Sequence, residues 1–320
     1  MALTVALQMD PIETINFDGD TTFMLGLEAL RRGHNLYHYQ PSDLSLTPEG
    51  AVAWMRPLGL QRVRDDHYRL GPKERVPLRE MDVVLLRQDP PFDMAYITST
   101  HLLEHAGRRT LVSNDPVQVR NAPEKLFITR FPDLMPPSLV SSSVDEIRAF
   151  REEHGDIVIK PLYGFGGLGV FRVRPDDENL GALLELHALR GREPLVIQKY
   201  LPAVREGDKR IILVEGEPRG AVLRVPQRGE ARANMHVGGR PVKTTLTARD
   251  REVCEAVGPE LRARGLTLVG IDMIGDHLTE INVTCPTGIQ EIDRLDGVTL
   301  ERDVWDAIET RLTTLRAGAA

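Results

Sequence analysis

The stretch from Ile157 to Val173, IVIKPLYGFGGLGVFRV, decides the fold class of this 320-residue chain. Its four glycines can let backbone N–H groups approach an anion closely, and they are Gly164, Gly166, Gly167 and Gly169. The first, second and fourth match the G-x-G-x-x-G spacing of dinucleotide-binding loops, which must open a helix. Val170–Val173 instead alternates apolar and basic residues as a strand does. We therefore expect a glycine-rich turn between two strands that folds over a triphosphate.

The residues around this loop narrow the choice of ligand. Lys160 ends the strand before the loop and offers a cation beside it. No Gly-Lys-Ser/Thr sequence follows, so the loop is not a Walker-type phosphate loop. A flexible hairpin without a ligand is one alternative. A nicotinamide oxidoreductase is another, and it would require a helix after Gly169.

A second pair of strands brings two carboxylates together. Strand-like runs at 266–274 and 277–283 flank a short turn. Period-two alternation puts Glu280 and Asn282 on one face, and the turn brings Asp272 roughly opposite Glu280. Like charges across a strand pair repel, and a cation between them removes the repulsion. Two carboxylates and an amide oxygen suit Mg²⁺, whereas an exposed acidic face is the alternative.

Short apolar runs alternate with amphipathic stretches along the chain, which predicts an α/β fold. The first strands are predicted at 3–7, 35–39, 83–86 and 110–112. This opening of about 120 residues has the size of one domain. Asn121, with Glu124 three residues later and Pro123 between them, is a helix-start signature. We therefore expect a helix to begin, and a domain boundary to lie, near Asn121.

Composition excludes several classes of protein. Lys and Arg number 40 against 47 Asp and Glu, giving a net charge of −7, which disfavours general nucleic-acid binding. The two cysteines, Cys254 and Cys285, make neither a disulfide framework nor a four-thiolate metal site. No apolar run reaches the roughly 18–20 residues of a membrane span. A reduced, cytoplasmic setting without a membrane partner is the expectation.

Two arginines are candidates for binding anionic groups. Arg210 and Arg224 lie on apolar strands near the carboxylate hairpin in sequence, and Arg forms forked hydrogen bonds with carboxylate and phosphate. Other arginines of this region are more simply explained as solvated surface. The loop Pro226–Pro241 is rich in glycine and charge and has little apolar content. No nucleophile motif is present, so we expect catalysis by positioning and charge.

Taken together, several motifs resemble those of the prokaryotic glutathione synthetases, which are ATP-grasp ligases. The resemblance covers nearly the whole chain. The motifs are Met9–Ile12, Arg87–Asp93, Asn121–Phe127, Ile159–Leu162, Gly207–Arg210 and Leu278–Thr284.

The resemblance implies a three-domain ATP-grasp fold of mixed α/β (α+β) class. An N-terminal parallel α/β domain is expected at 1–121, and a central lid domain with the glycine loop at 122–200. A C-terminal mixed-sheet ATP-grasp domain with the metal hairpin is expected at 201–320. Nucleotide would lie between the last two domains.

The resemblance also implies roles for individual residues. It places around ATP, with the four loop glycines, the residues Lys125, Lys160, Gln198, Tyr200, Leu201 and Asp208. It places on Mg²⁺, or on Mn²⁺, the residues Asp272, Glu280 and Asn282. It places beside the substrates Arg87, Asp89, Arg210 and Arg224, the last two with a catalytic role.

The reaction implied is the joining of γ-glutamylcysteine to glycine through an acylphosphate, by a homotetramer. Three residues depart from the expected pattern, namely Gln88 for Lys, Tyr163 for Asp and Cys285 for Ser. These departures concern the identity of the substrate more than the type of reaction. A related ligase with another dipeptide or amine acceptor is the alternative within the class, and a binding protein with an inactive site is the alternative outside it.

Overall fold

The computed structural model describes residues 2–191, 193–227, 229–230, 232–235 and 238–318, which form three sheets. The N-terminal sheet contains β1 (Thr4–Gln8), β2 (Asn35–Tyr39), β3 (Leu44–Thr47), β4 (Gly50–Leu60), β5 (Tyr68–Leu70), β6 (Glu74–Pro77), β7 (Val83–Leu86) and β8 (Leu111–Ser113). Its order is β3-β4-β2-β1-β7-β8, with β5 and β6 also on β4. Strands β2, β1, β7 and β8 are parallel, and β4 is antiparallel to β2. Its helices are α1 (Thr21–Arg31), α2 (Met94–Leu103) and α3 (Pro116–Arg120).

The central sheet has four antiparallel strands in the order β11-β10-β12-β9. Its elements are β9 (Ser138–Ser141), α4 (Val144–His154), β10 (Ile157–Pro161), β11 (Phe171–Val173), α5 (Leu180–Arg190) and β12 (Leu195–Lys199). A cluster of apolar side chains from these elements alone forms its core. The glycine-rich segment is the connection between β10 and β11, as the sequence predicts.

The C-terminal sheet has five strands in the order β15-β14-β13-β16-β17. Its elements are β13 (Asp208–Val214), β14 (Glu217–Val225), β15 (Arg240–Lys243), α6 (Ala248–Ala263), β16 (Leu268–Ile274), β17 (His277–Asn282), α7 (Ile289–Asp296) and α8 (Leu300–Gly318). All its described pairings are antiparallel. The expected mixed sheet is therefore found in the N-terminal part, whereas the described pairings of the C-terminal sheet are all antiparallel.

The prediction of a helix that begins at Asn121 is wrong. Asn121 instead follows α3, and a turn at 124–126 leads into a short 3₁₀ helix, Phe127–Arg130. The true helix start lies earlier, where the Asp115 side chain accepts a hydrogen bond from the Gln118 N–H (3.0 Å) and Pro116 occupies the first turn. An Asp-Pro pair is the stronger start signal.

The N-terminal and C-terminal sheets share their cores. One cluster joins Val5 and Leu25 to Ile212 of β13 and to Trp305 of α8. The Trp305 indole N–H donates to the Leu25 carbonyl (2.8 Å), so α8 is fixed on α1. In the described part of the chain, no helix is both long and apolar enough to cross a membrane.

Candidate active site

A cavity of about 890 Å³ lies between the central and C-terminal sheets. Its walls are the β10–β11 connection, the end of β12, the start of β13 and the β16–β17 hairpin. The residues predicted to bind nucleotide that line it are Lys125, Lys160, Gly164, Gly166, Gly167, Gln198, Tyr200, Leu201 and Asp208. Gly169 lies at the end of the loop and does not line it.

The glycine loop has the backbone that only glycine adopts easily. Gly166, Gly167 and Gly169 have φ of 60°, 81° and 70°. A strand and no helix follows them, since β11 begins at Phe171. The loop therefore lacks the helix N-terminus that a dinucleotide site needs. This excludes the nicotinamide oxidoreductase alternative, which requires a helix after Gly169.

Two lysines face one carboxylate in this cavity. Lys125 Nζ donates to the Gly164 carbonyl (2.5 Å) and forms an ion pair with Glu124. Lys125 Nζ and Lys160 Nζ each lie 3.8 Å from Glu280 Oε1. Burial opposes the charge of Lys125, but Glu280 and Glu124 outweigh it and raise its pKa. Both ammonium groups therefore stand where they can meet anionic phosphate oxygens.

The carboxylate hairpin forms as the sequence predicts. Asp272 pairs directly with Glu280 across β16 and β17, and Gly270 with Asn282. Glu280 lines the cavity, and its carboxylate has no hydrogen bond from any described residue. The Glu280 carboxylate and the Asn282 amide oxygen are hard oxygen donors of the kind that Mg²⁺ prefers. Among the described residues, no cluster of three or more His, Cys, Asp or Glu side chains could hold a metal ion by itself.

Asp272 also holds the two predicted catalytic arginines. Its carboxylate accepts from Arg210 Nε (2.5 Å) and Nη2 (2.8 Å), and Arg224 Nη2 lies 3.0 Å from its Oδ2. Burial opposes ionisation of Asp272, but the two guanidinium groups outweigh it and hold its pKa below the usual range. Arg224 also pairs with Asp208 (2.6 Å), whose pKa burial raises to about 6. The buried cluster therefore keeps both arginines charged and in place.

A second cavity of about 1780 Å³ adjoins the first. It is lined by the predicted substrate residues Arg87, Asp89, Arg210 and Arg224. Both cavities are bordered by Glu124, Phe165, Gly166, Asn234 and Glu280. The carboxylate hairpin therefore stands between the cavity beneath the glycine loop and a larger, charged one.

The three departures from the expected pattern lie in different places. Gln88 faces the interior, where its Oε1 accepts from Gln8 Nε2 (2.6 Å), so its side chain is not in the substrate cavity. Tyr163 stacks on Phe92, with ring centres 5.9 Å apart, and lines neither of the two cavities. Cys285 lines the larger cavity, and burial raises the pKa of its thiol well above the usual value. That thiol stays protonated, in agreement with a packing role.

Sequence reasoning missed several residues of the site. Glu124 borders both cavities, and burial and the charge of Glu280 raise its pKa. From the loop 226–241, Arg232 Nη1 donates to the Gly167 carbonyl (3.2 Å), and Asn234 borders both cavities. Positions 228, 231, 236 and 237 of this loop lie outside the described residues. Glu124 enters the sequence analysis only as part of a helix start. Its carboxylate next to Lys125 in the sequence is the signal that could have placed it in the site.

Comparison with known proteins agrees with this geometry. Two sequence models match the chain, the prokaryotic glutathione synthetase N-terminal domain at residues 3–120 and the prokaryotic glutathione synthetase ATP-grasp domain at residues 124–297. The glutathione synthetase of Brucella melitensis is 57% identical over 97% of this chain and 100% of its own length. That of Salmonella typhimurium is 43% identical over 97% of this chain and 99% of its own.

Solved structures share the fold at low sequence identity. D-cycloserine synthetase DcsG superposes with a TM-score of 0.68 at 15% identity, covering 97% of this chain and 99% of its own. D-alanyl-alanine synthetase A from Vibrio cholerae gives 0.63 at 13% identity, covering 98% and 99%. The ATP-grasp ligase PsnB, complexed with minimal precursor, Mg and ADP, gives 0.55 at 16% identity, covering 96% and 98%. With both family domains matched and close relatives aligned from end to end, the chain belongs to the prokaryotic glutathione synthetase family of ATP-grasp ligases.

Proposed function

We propose that this protein carries out the glutathione synthesis of its family in two steps, one on each side of the carboxylate hairpin. In the first step, an oxygen of the cysteine carboxylate of γ-glutamylcysteine bonds to the γ-phosphorus of ATP, and the bond from that phosphorus to the ADP oxygen breaks. In the second, the nitrogen of the neutral glycine amine attacks the acyl carbon, the bond from that carbon to the phosphate oxygen breaks, and the nitrogen loses one proton and keeps the other as the amide N–H. The products are glutathione, ADP and phosphate.

The observation that carries this proposal is the wall shared by the two cavities. Glu280 and Gly166 border both the cavity beneath the glycine loop and the larger one. Phosphoryl transfer needs the γ-phosphate and the accepting carboxylate in line and in contact, and adjoining cavities meet that requirement. Lys125 and Lys160 would bind phosphate oxygens on the nucleotide side. Gln198, Tyr200 and Leu201 at the end of β12 would hold the adenine.

Mg²⁺, which accompanies ADP in the PsnB structure, would be held by Glu280 and Asn282 with Asp272 behind them. It would supply charge neutralisation at the β- and γ-phosphates. Mn²⁺ has the same preference for oxygen ligands and is the second metal to test. The homotetramer, the cytoplasmic setting and the boundaries 1–121, 122–200 and 201–320 stay predictions.

Arg210 and Arg224 would stabilise the negative charge of the acylphosphate. Arg224 Nε is buried and has no hydrogen-bond partner among the described residues, which leaves it available to a substrate oxygen. Both arginines line the larger cavity. The contact of Arg232 with Gly167 joins the loop 226–241 to the glycine loop, and the two together would exclude water from an intermediate that hydrolyses.

The test is ADP release by the purified protein with Mg-ATP and γ-glutamylcysteine, with and without glycine, with product masses determined. Glycine-dependent release with the tripeptide as product is the expected result. Glycine-independent release without tripeptide would point to another amine acceptor. Absence of release with every combination would overturn the proposal.

A further inference from the structure

Glu291, in the first turn of α7, is a buried carboxylate that the two steps above leave unused. Its side chain lines the larger cavity, and the residue is only 6% exposed. Its Oε2 has no hydrogen-bond partner among the described residues, and Arg294 Nη2 is 3.7 Å from its Oε1, beyond hydrogen-bond range. A buried carboxylate oxygen without a donor is unfavourable. A cationic donor that enters the cavity would therefore stabilise Glu291 Oε2.

Glu291 stands at one end of a wall that begins at the reacting groups. Arg87 Nη2 donates to the Pro286 carbonyl (3.0 Å), and Arg210 Nη1 to the Thr287 carbonyl (3.4 Å). The chain then enters α7 at Ile289, and Glu291 lies in the first turn of that helix. A substrate whose carboxylate meets the arginines can therefore extend along this wall toward Glu291.

Two other carboxylates that line this cavity have donors from the protein. Asp20 accepts the Phe23 N–H (2.6 Å) as the cap of α1, and Asp10 accepts the Asp89 N–H (2.7 Å). Glu291 differs from them because its Oε2 lacks such a donor.

Glu291 is also held firmly. The neighbouring Gln290 Nε2 donates to the carbonyls of Phe17 (3.1 Å) and Asp20 (2.9 Å), which fastens the start of α7 to the start of α1. The hydroxyl of Thr21, at that start of α1, is likewise buried, lines the same cavity and has no partner among the described residues. Two connected helix starts thus place two buried oxygens without a partner among the described residues in the wall of this cavity.

We infer that Glu291 binds the α-ammonium group of the γ-glutamyl donor and so selects substrates that carry an amino-acid head. An ammonium has three N–H donors and no acceptor, which complements a carboxylate oxygen that lacks a donor. The reacting cysteine carboxylate and this ammonium lie at opposite ends of the dipeptide, as Arg210 and Glu291 lie at separate places along the wall. The inference rests on the proposed function, because it names how that donor is recognised.

The test compares Glu291→Gln with the wild type on two donors, γ-glutamylcysteine and glutarylcysteine, which lacks only the α-amino group. We expect wild-type kcat/KM to favour γ-glutamylcysteine by about 10- to 100-fold, the range of one charge-assisted hydrogen bond. In Glu291→Gln this preference should fall to within about 3-fold of unity, mainly through the KM for γ-glutamylcysteine. The KM values for ATP and glycine should stay unchanged.

Glu301→Gln is the matched control. Glu301 is 5% exposed and its Oε2 also lacks a partner among the described residues, but it lines neither cavity. This variant should retain the wild-type preference. Retention of the preference by Glu291→Gln, or an effect on the KM for glycine alone, would overturn the inference.

If Glu291→Gln fails to fold, Glu291→Asp tests the same point, since it keeps the charge and withdraws it by one methylene. Its KM for γ-glutamylcysteine should rise while that for glutarylcysteine stays constant, and unchanged KM values for both would contradict the inference. A wild-type protein that makes no tripeptide would instead contradict the proposed function itself.

Discussion

At the scale of single residues, the site is organised by where charges have partners and where they lack them. Asp272 is fully engaged by Arg210 and Arg224, so its charge serves to fix the arginines. Glu280, its partner across the strand pair, has no hydrogen bond from the described residues and lies 3.8 Å from two ammonium groups. The first carboxylate is therefore part of the framework, and the second is free to meet a ligand.

Replacement of Glu280 with Gln should abolish magnesium-dependent turnover and leave the fold intact. The change removes one metal-facing charge and keeps the shape of a side chain that is 16% exposed. We expect kcat to fall by about 100-fold or more, as for other groups that stabilise transition-state charge. Initial rates of tripeptide formation across a magnesium titration check this.

The control for this variant is Glu217→Gln. Glu217 lies on β14 of the same sheet and pairs at the surface with Arg262 (2.7 Å). Turnover should not change in the control, and the thermal midpoint of both variants should stay within about 3 °C of the wild type, since surface ion pairs contribute little. Near-normal activity of Glu280→Gln would remove Glu280 from the metal assignment.

Sequence reasoning found the site residues that share a motif and missed those that only the tertiary fold brings in. Asp272 and Glu280 could be paired because a short hairpin fixes their register. Glu291 gave no signal, since its place depends on α7 meeting the loop before α1, some 270 residues away in sequence. Long-range contacts of this kind have no local pattern to predict them.

At the scale of elements, a strand buried on both faces was predictable, whereas the short or partly exposed strands of 44–77 were not. β7, Val83–Leu86, is entirely buried, and its unbroken apolar run marks a central parallel strand. The segment 44–77 forms β3 to β6 and gave no prediction. Its strands are short or partly exposed and carry charges and prolines, such as Glu74–Pro77, so neither apolar runs nor clean alternation reveal them.

The glycine loop gives a test of how two elements close together. Gly167 has φ of 81°, and an added Cβ would lie 2.8 Å from Asn234 Oδ1 of the loop 226–241. Gly167→Ala should therefore strain the loop by about 1–2 kcal/mol and raise the KM for ATP by about 5- to 30-fold. Steady-state kinetics with ATP as the varied substrate measures this.

Gly181→Ala is the control in a helix that packs on the central sheet. Gly181 lies in α5, and an added Cβ would meet nothing within 4 Å. This variant should keep the wild-type KM for ATP and gain up to about 1 kcal/mol in unfolding free energy. An unchanged KM for ATP in Gly167→Ala would show that the backbone of Gly167 does not matter for nucleotide binding.

At the scale of the whole molecule, the apolar packing of the described residues divides them into two bodies. The N-terminal and C-terminal sheets share apolar clusters, whereas the central sheet has a core of its own. The cavity beneath the glycine loop lies between these two bodies. Sequence patterns indicate elements, but which faces pack together across two hundred residues is decided by the assembled surfaces.

The junction of α7 and α8 makes the stability of the molecule dependent on pH. Burial, with a contribution from Glu301, raises the pKa of Asp293 to about 7. The fold therefore binds a proton at this carboxyl that the unfolded chain has lost, so its stabilising contribution is complete below about pH 4 and is lost as pH rises to about 7. Asp293→Asn should raise the thermal midpoint at pH 8 and flatten its decline between pH 5 and 8, as measured by calorimetry.

Asp293 Oδ1 accepts a hydrogen bond from the Leu300 N–H (3.0 Å), and the amide oxygen of Asn can accept the same bond. Asp293→Asn therefore removes the titrating group and keeps this hydrogen bond. Asp296→Asn on the same helix is the control, because Asp296 pairs with Lys243 (3.0 Å). Its midpoint should follow the wild-type dependence on pH. The same slope in Asp293→Asn as in the wild type would contradict the assignment of this dependence to Asp293.

The packing of α8 on α1 through Trp305 has a consequence for folding during synthesis. Synthesis proceeds from the N-terminus, so the apolar side chains of β1 and α1 emerge from the ribosome long before Trp305 and Leu312 arrive to cover them. A nascent chain that stops before α8 keeps this surface open to chaperones and proteases. A chain that reaches α8 already carries the carboxylate hairpin and Glu291. Survival in the cell is thereby linked to possession of a finished catalytic centre.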